Sequence, residues 1–234
     1  MSLRAKSVVI DSEAGAVHAG RDAYGAKPTD YFSGARRDYV TELPPNPRAA
    51  ILEVGCGEGG TGALALSRGV CGRYCAVELF PAAAERAKEK LTEVLVGNVE
   101  EMELPWTKGT FDALILSEVL EHLVDPWAVL RKIRPLLRDG ASVFASSPNV
   151  SHYRVIAMLV RGQWTLADRG VMDRTHLRWF TPSNYRSLFE SCGYQVDSVK
   201  ELSPLSWKAR AAMAVAFGRL RHLFFTQIDL RAHS

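Results

Sequence analysis

From Ala49 onward, short apolar runs alternate with longer stretches of helical pattern. Ala49 to Val54 is an apolar run that stops at Gly55, as a strand buried on both faces would. Gly60 to Ser67 reads as a helix and Tyr74 to Leu79 as a second strand. Pro81 to Leu91 follows as a helix, with Pro in its first turn and charges among its alanines. Val94 to Val96 and the apolar Phe111 to Leu116 are predicted as the third and fourth strands. Pro126 to Leu137 is predicted as a helix bent or ended near Pro135, and Ala141 to Ala145 as the fifth strand.

Residues 147–180 break this rhythm with a predicted helix, Tyr153 to Val160, and then a polar, aromatic stretch. Thr181-Pro182 restarts a helix, a capping residue followed by Pro at the first helical position. Tyr194 to Val199 reads as a sixth strand, Trp207 to Leu220 as a helix, and Leu223 to Leu230 as a seventh strand. The last helix and strand are expected to return to the sheet as an antiparallel hairpin. Strand and helix in alternation predict an α/β fold, a seven-stranded, mostly parallel sheet with helices on both faces and the last strand antiparallel. Residues 1–48 are expected to form an N-terminal arm or lid. They contain a short helix, Tyr31 to Thr41, and a connector, Leu43-Pro44-Pro45-Asn46-Pro47. The remainder, 49–234, is expected to be one domain with an insertion at about 147–180.

Composition narrows this picture only a little. The 234 residues are 47% hydrophobic and 24% charged, enough for one sizeable core. A net charge of +3 falls short of a nucleic-acid footprint, so no nucleic-acid partner is expected. Cys56, Cys71, Cys75 and Cys192 show neither a paired C-x-x-C nor a disulfide framework, which suits a reducing, cytoplasmic setting. Ala211 to Phe217 is too short to span a bilayer, so no transmembrane segment is expected. The basic stretch from Lys208 to His222 is expected to pack on the sheet edge or against another subunit, which leaves a homodimer open.

The chemistry begins at Leu52-Glu53-Val54-Gly55-Cys56-Gly57-Glu58-Gly59-Gly60-Thr61-Gly62, between a strand and a helix. Glycines there allow a tight turn and a close approach of backbone to ligand. Gly55, Gly57 and Gly60 satisfy a dinucleotide fingerprint, but Glu53 would meet a pyrophosphate with added negative charge. S-adenosylmethionine carries no phosphate, and its ammonium and sulfonium suit a nearby carboxylate. Glu78, ending the second strand, suits two ribose hydroxyls under either reading.

With these residues in place, about residues 30 to 200 resemble the class I S-adenosylmethionine-dependent methyltransferases. The resemblance is carried by Glu53-Val54-Gly55-Cys56-Gly57-Glu58-Gly59, the acidic strand end Glu78, Gly97-Asn98-Val99-Glu100 with Leu104-Pro105, and Phe111 through Leu123. It implies a Rossmann-like fold, with S-adenosylmethionine as cofactor held by Glu53, Gly55, Cys56, Gly57, Glu78, Leu79, Asn98, Val99 and Ser117. Asn98 stands where an Asp is usual, and its carbonyl would accept the adenine amino group without charge. Pro148-Asn149-Val150-Ser151-His152-Tyr153 and Asp173 through Thr181 are similar to a bacterial branch associated with sugar, cell-surface polysaccharide or secondary-metabolite pathways.

A hydroxyl acceptor must shed its proton as the methyl arrives, and His titrates in the right range for that. His122, His152 and His176 fall just after strands or in the insertion, where α/β sheets bind ligands, and are the candidate catalytic residues. Arg161, Arg169, Arg174 and Arg178 beside Trp164 and Trp179 suit an anionic acceptor such as a phosphorylated or nucleotide-linked sugar. Asp112, Glu118, Glu121 and Asp125 are read as lining a helix or loop edge, and no metal is expected. Tyr24, Tyr31, Phe32 and Arg36 are placed on the lid. The expected activity is methyl transfer from S-adenosylmethionine to a hydroxyl of a small, carbohydrate-like acceptor. A non-catalytic cofactor-binding or scaffold protein, a methyltransferase acting on nitrogen or another small metabolite, and a nicotinamide dehydrogenase are the alternatives.

Overall fold

The computed structural model describes residues 34–202 and 220–234. Seven strands form one sheet: β1 (Ala50–Val54), β2 (Arg73–Glu78), β3 (Glu93–Val96), β4 (Phe111–Ser117), β5 (Leu137–Pro148), β6 (Gln195–Glu201) and β7 (Gln227–His233). Their spatial order is β3-β2-β1-β4-β5-β7-β6. The first five run parallel, and β7 is antiparallel to both of its neighbours. Six helices accompany them among the described residues: α1 (Arg37–Glu42), α2 (Gly60–Ser67), α3 (Pro81–Lys88), α4 (Pro126–Ile133), α5 (Tyr153–Val160) and α6 (Pro182–Ser191).

The continuous apolar runs have a simple cause: the central strands are covered on both sides. Alternate residues of β1 and β4 divide between two cores. Leu52, Val54, Leu114 and Leu116 pack with Leu130 and Ile133 of α4 and Tyr185 and Phe189 of α6. Ile51, Ala113 and Ile115 pack on the opposite face with Tyr39 and Val40 of α1 and Ala65 of α2. Phe189 is fully buried, its ring edge-on to Tyr185 at 5.3 Å and to Tyr194 at 5.6 Å. Phe189→Ala should therefore cost about 3–5 kcal/mol, read as a lower urea midpoint at unchanged slope.

Local signals set the helix starts. The Asp125 carboxylate accepts from Ala128 N at 2.9 Å with Pro126 behind it, and the Thr181 hydroxyl accepts from Asn184 N at 3.3 Å ahead of Pro182. Pro135 acts as expected: α4 ends at Ile133, a 3₁₀ turn spans Arg134–Leu136, and the predicted extension of the helix to Leu137 is absent. Strand β5 is longer than predicted in both directions. Strand β7 starts later than predicted, because Arg221–Leu223 forms a 3₁₀ turn. It is also inserted between β5 and β6 rather than added at an edge. The predicted helix over 207–220 lies outside the described residues apart from Leu220, as do Tyr24, Tyr31 and Phe32. Among the described residues no helix is long and apolar enough to cross a membrane.

Candidate active site

Parallel strands that all end on one side of a sheet leave a crevice beyond their carboxyl ends. A cavity of about 890 Å³ lies there, large enough for a nucleoside cofactor and an acceptor together. The ends of β1, β2 and β4, the loop after β3, residues 170–177 of the insertion and the start of β7 all contribute to its wall.

The glycine loop forms its floor. Gly55 has φ +73°, and a Cβ there would lie 2.5 Å from Val119 Cγ2, so only glycine fits. Glu78 holds this loop from the next strand. One of its oxygens accepts from Gly57 N at 2.8 Å and the other from Phe80 N at 2.9 Å. Each oxygen keeps a lone pair, so the carboxylate arrives oriented and still able to accept two hydroxyls. Burial pushes its pKa up, and backbone hydrogen bonding from Phe80, Gly57 and Leu79 acts against that rise.

Glu53 is buried and accepts from the Tyr74 hydroxyl at 2.8 Å. Its pKa is raised to about 7, chiefly by burial and also by the nearby Glu78, against lowering by hydrogen bonds with Tyr74 and Thr61 and by the charge of Arg36. A cation arriving at this carboxyl would convert it to a full anion. Cys56, Leu79 and Val99 also line the cavity, and burial pushes the Cys56 thiol up. Asn98 lines it too, but its amide carbonyl already accepts from Glu100 N at 3.0 Å and its NH₂ donates to Glu101 at 2.8 Å. It therefore shapes the loop after β3 and offers a ligand one remaining lone pair.

Arg36, read from the sequence only as part of a lid, emerges as a wall residue of the site. Its guanidinium donates to Ser117 Oγ at 2.7 Å and Ser146 Oγ at 2.8 Å, and pairs with Asp38 at 2.7 Å. It also lies 3.5 Å over the Tyr39 ring. Nothing in the local sequence announces this role, because its partners are 81 and 110 residues away.

The opposite wall carries His122 and His176, with ring centroids 4.8 Å apart. Each Nδ1 faces a backbone carbonyl, His122 that of Thr175 at 3.1 Å and His176 that of Val171 at 3.2 Å. A carbonyl only accepts, so in the neutral rings Nδ1 carries the proton and Nε2 is the basic nitrogen. His152 is not among the cavity-lining residues. Its Nδ1 accepts from Arg154 N at 3.4 Å at the start of α5, its ring lies tilted against Tyr153 at 4.5 Å, and burial holds its pKa down. Asn149, in the same motif, is fully buried and donates to the carbonyls of His222 and Phe225. That motif anchors the insertion to the approach to β7.

Two of the carboxylates expected at a helix or loop edge are instead in the cavity wall. Glu118 has φ +55°, a costly backbone for a residue with a side chain and one that concentrates at functional sites. Glu121 is 1% exposed. Burial raises both pKa values, and the charge of Glu118 raises Glu121 further. Asp125 caps α4 and Asp112 accepts from Ala50 N at 2.8 Å, so those two are structural. None of Arg161, Arg169, Arg174 and Arg178 lines the cavity: Arg174 pairs with Asp168 at 2.7 Å and Arg178 donates to the Val124 carbonyl.

Residues 30–199 match the family described as a methyltransferase domain. A ubiquinone biosynthesis O-methyltransferase from Xanthomonas campestris pv. campestris is 30% identical over 215 residues, covering 88% of this chain and 87% of its own length. An S-adenosylmethionine-dependent methyltransferase from Mesorhizobium loti superposes with a TM-score of 0.60 at 15% identity, covering 88% of this chain and all of that one. A second, from Aquifex aeolicus, gives 0.58 at 14% identity over 92% of this chain and 97% of that one. At these identities the two structures speak for the fold.

Proposed function

This chain belongs to the methyltransferase-domain family and is an S-adenosylmethionine-dependent methyltransferase, and on that premise we propose that it methylates a hydroxyl of a small acceptor. The residues present fit the cofactor. A glycine floor that admits no Cβ lies beside two buried carboxyls and a guanidinium, which suit the ribose, the ammonium and the carboxylate of the methionine moiety. Glu78 would take the ribose hydroxyls, Glu53 the ammonium and Arg36 the carboxylate. Gly55, Cys56, Gly57, Leu79, Asn98, Val99 and Ser117 would complete the contact surface. When bound, the cofactor supplies an electrophilic methyl group on a sulfonium.

The observation that carries the acceptor reading is the wall of His122 and His176, both in the tautomer that leaves Nε2 basic. A hydroxyl docked there would give its proton to this wall, leaving the oxygen's electron pair free for the methyl group that the bound cofactor would supply. Holding oxygen, methyl carbon and sulfur in line is the rest of the work. Beside the two rings and the carboxyls of Glu118 and Glu121, the cavity lining includes the apolar side chains of Val119, Leu123, Val124, Val171 and Leu177. Together with the O-methyltransferase name of the 30% identical relative, this favours a flat, phenolic acceptor over the carbohydrate expected from the sequence.

The test is a methyl-transfer assay offering catechols and other phenols, nucleotide-linked sugars and primary amines in parallel. Product is expected on the phenolic hydroxyl, with kcat falling about 10²-fold or more in His122→Ala and in His176→Ala. Methylated sugar alone would move the reading to the carbohydrate. Methylated amine alone would overturn the hydroxyl assignment.

A further inference from the structure

We propose that Glu100 is a positioning residue that couples cofactor binding to the shape of the acceptor wall. It follows directly on Asn98 and Val99, and its side chain reaches the turn between β4 and α4. The inference rests on the cofactor placement proposed above, with Asn98 and Val99 in its contact surface, and extends it to the way the two ligands influence each other.

The grip on the turn is twofold. One Glu100 oxygen accepts from Asp125 N at 2.7 Å and the other from Val124 N at 3.2 Å. Two consecutive backbone N–H groups aimed at one carboxylate fix both of its oxygens, and they stand at the start of α4, where negative charge is favoured. The Val124–Asp125 peptide is a rigid plane, and its other edge is held too. The Val124 carbonyl accepts from Arg178 Nε at 3.1 Å and also from Arg178 Nη2. Glu100 and Arg178 thus hold opposite edges of one peptide unit. A shift at one edge passes to the other, because the plane between them does not bend.

At its far end this chain of contacts enters the acceptor wall. The Glu121 carbonyl accepts from Leu177 N at 2.8 Å and Arg178 N at 2.9 Å, which ties the insertion to the turn after β4. Leu123, Val124, His176 and Leu177 line the cavity there. At its near end the loop after β3 has little freedom of its own. The Asn98 side chain accepts from Glu100 N at 3.0 Å, and the Asn98 carbonyl accepts from Met102 N at 2.9 Å. From α4, Lys132 Nζ donates to the Val99 carbonyl at 3.0 Å and to that of Met102. Val99 and Leu123 are buried in the same apolar core. A ligand that fixes Asn98 and Val99 therefore fixes Glu100, and through it the peptide that Arg178 holds. The acceptor then meets a wall already set by the cofactor. By linkage, each ligand tightens the other by the same factor, and Glu100 carries that factor.

The test begins without any acceptor. Amide hydrogen exchange, resolved by residue, is compared for the full chain with and without saturating S-adenosylhomocysteine. Leu177 N and Arg178 N are the reporters, since both bond to the Glu121 carbonyl and not to Glu100. Exchange at both is expected to slow about tenfold when the ligand binds, and not to slow in Glu100→Ala at ligand saturation. A residue that only braced the fold would change exchange with and without ligand alike and leave that ratio intact. Glu100→Gln keeps the size and one accepting oxygen but sets an NH₂ against the second backbone N–H. It should lose most of the ratio, and it serves if the Ala variant does not fold. No ligand effect on the reporters of the parent would overturn the proposal, as would an undiminished effect in either variant.

Calorimetry with catechol supplies a second arm. S-adenosylhomocysteine should tighten catechol binding about tenfold in the parent and leave it unchanged in Glu100→Ala. Equal tightening in the variant would overturn the coupling role. Catechol binding in neither state would discard the phenolic acceptor, while the exchange ratio still decides the coupling.

Discussion

Glu78→Ala should weaken S-adenosylmethionine binding by about two orders of magnitude, with S-adenosylhomocysteine affected equally because the two share the ribose. Hydrogen bonds to a charged acceptor are worth roughly 1.5–3 kcal/mol each, and this carboxylate is placed to accept two from the sugar. The substitution also strands Gly57 N and Phe80 N, which Glu78 now satisfies at 2.8 and 2.9 Å. The glycine floor would therefore lose its brace as well as the ligand its partner. Glu78→Gln keeps one acceptor oxygen and the shape, and should lose only about tenfold. Calorimetric titration of the three proteins decides the matter. An Ala variant that binds within threefold of the parent would show that the ribose does not meet Glu78.

Cofactor affinity should rise with pH below neutrality, by about tenfold between pH 5.5 and 7, and then level off. The cause is Glu53, whose burial raises its pKa to about 7 in the free protein. A ligand ammonium favours the ionised carboxyl, so binding below that pKa must expel a proton. Over this window the ligand's own ammonium stays charged, because an α-amino group titrates near 8. Calorimetry at pH 6 in buffers of different ionisation enthalpy should report proton release, and Glu53→Gln should abolish it and flatten the profile. The sign for stability is opposite. A carboxyl whose folded pKa lies above its unfolded value of 4.5 contributes fully below pH 4.5 and loses that contribution as pH rises through about 7. The cofactor-free protein should thus unfold at a lower temperature at pH 8 than at pH 6, and added cofactor should narrow that gap. A flat binding profile in the parent would sink the assignment of Glu53 to the ammonium.

What the sequence revealed depended on how local each feature is. The glycine loop, the Pro starts of α3, α4 and α6 and the apolar runs of β1, β2 and β4 are set by neighbours a few residues away, and all were legible. The place of β7 was not, because strand order is decided by which edges remain when the chain arrives, and periodicity carries no record of that. Arg36 and the meeting of Glu121 with His176 were hidden for the same reason. Glu118 and Glu121 look like an exposed charged turn, and nothing local reveals that the backbone of Leu177 and Arg178 bonds to the Glu121 carbonyl. His152 lies outside the cavity lining, and its ring nitrogen accepts from Arg154 N at a helix start, a use of the same polar atom that sequence does not separate from a place beside a strand end.

The insertion of β7 between β5 and β6 has a consequence for synthesis. Ser142 of β5 pairs with His233, and Gln195 of β6 pairs with the same residue. As the chain leaves the ribosome, β5 has no partner on its outer side and β6 has none at all until residues 227–233 emerge. At 5–20 residues per second that interval is on the order of ten seconds, during which an apolar strand edge stands open. Unpaired edges of this kind invite pairing with other chains. Slowing translation across residues 150–225 should therefore lower the yield of folded protein, and a chaperone that shields β5 should restore it.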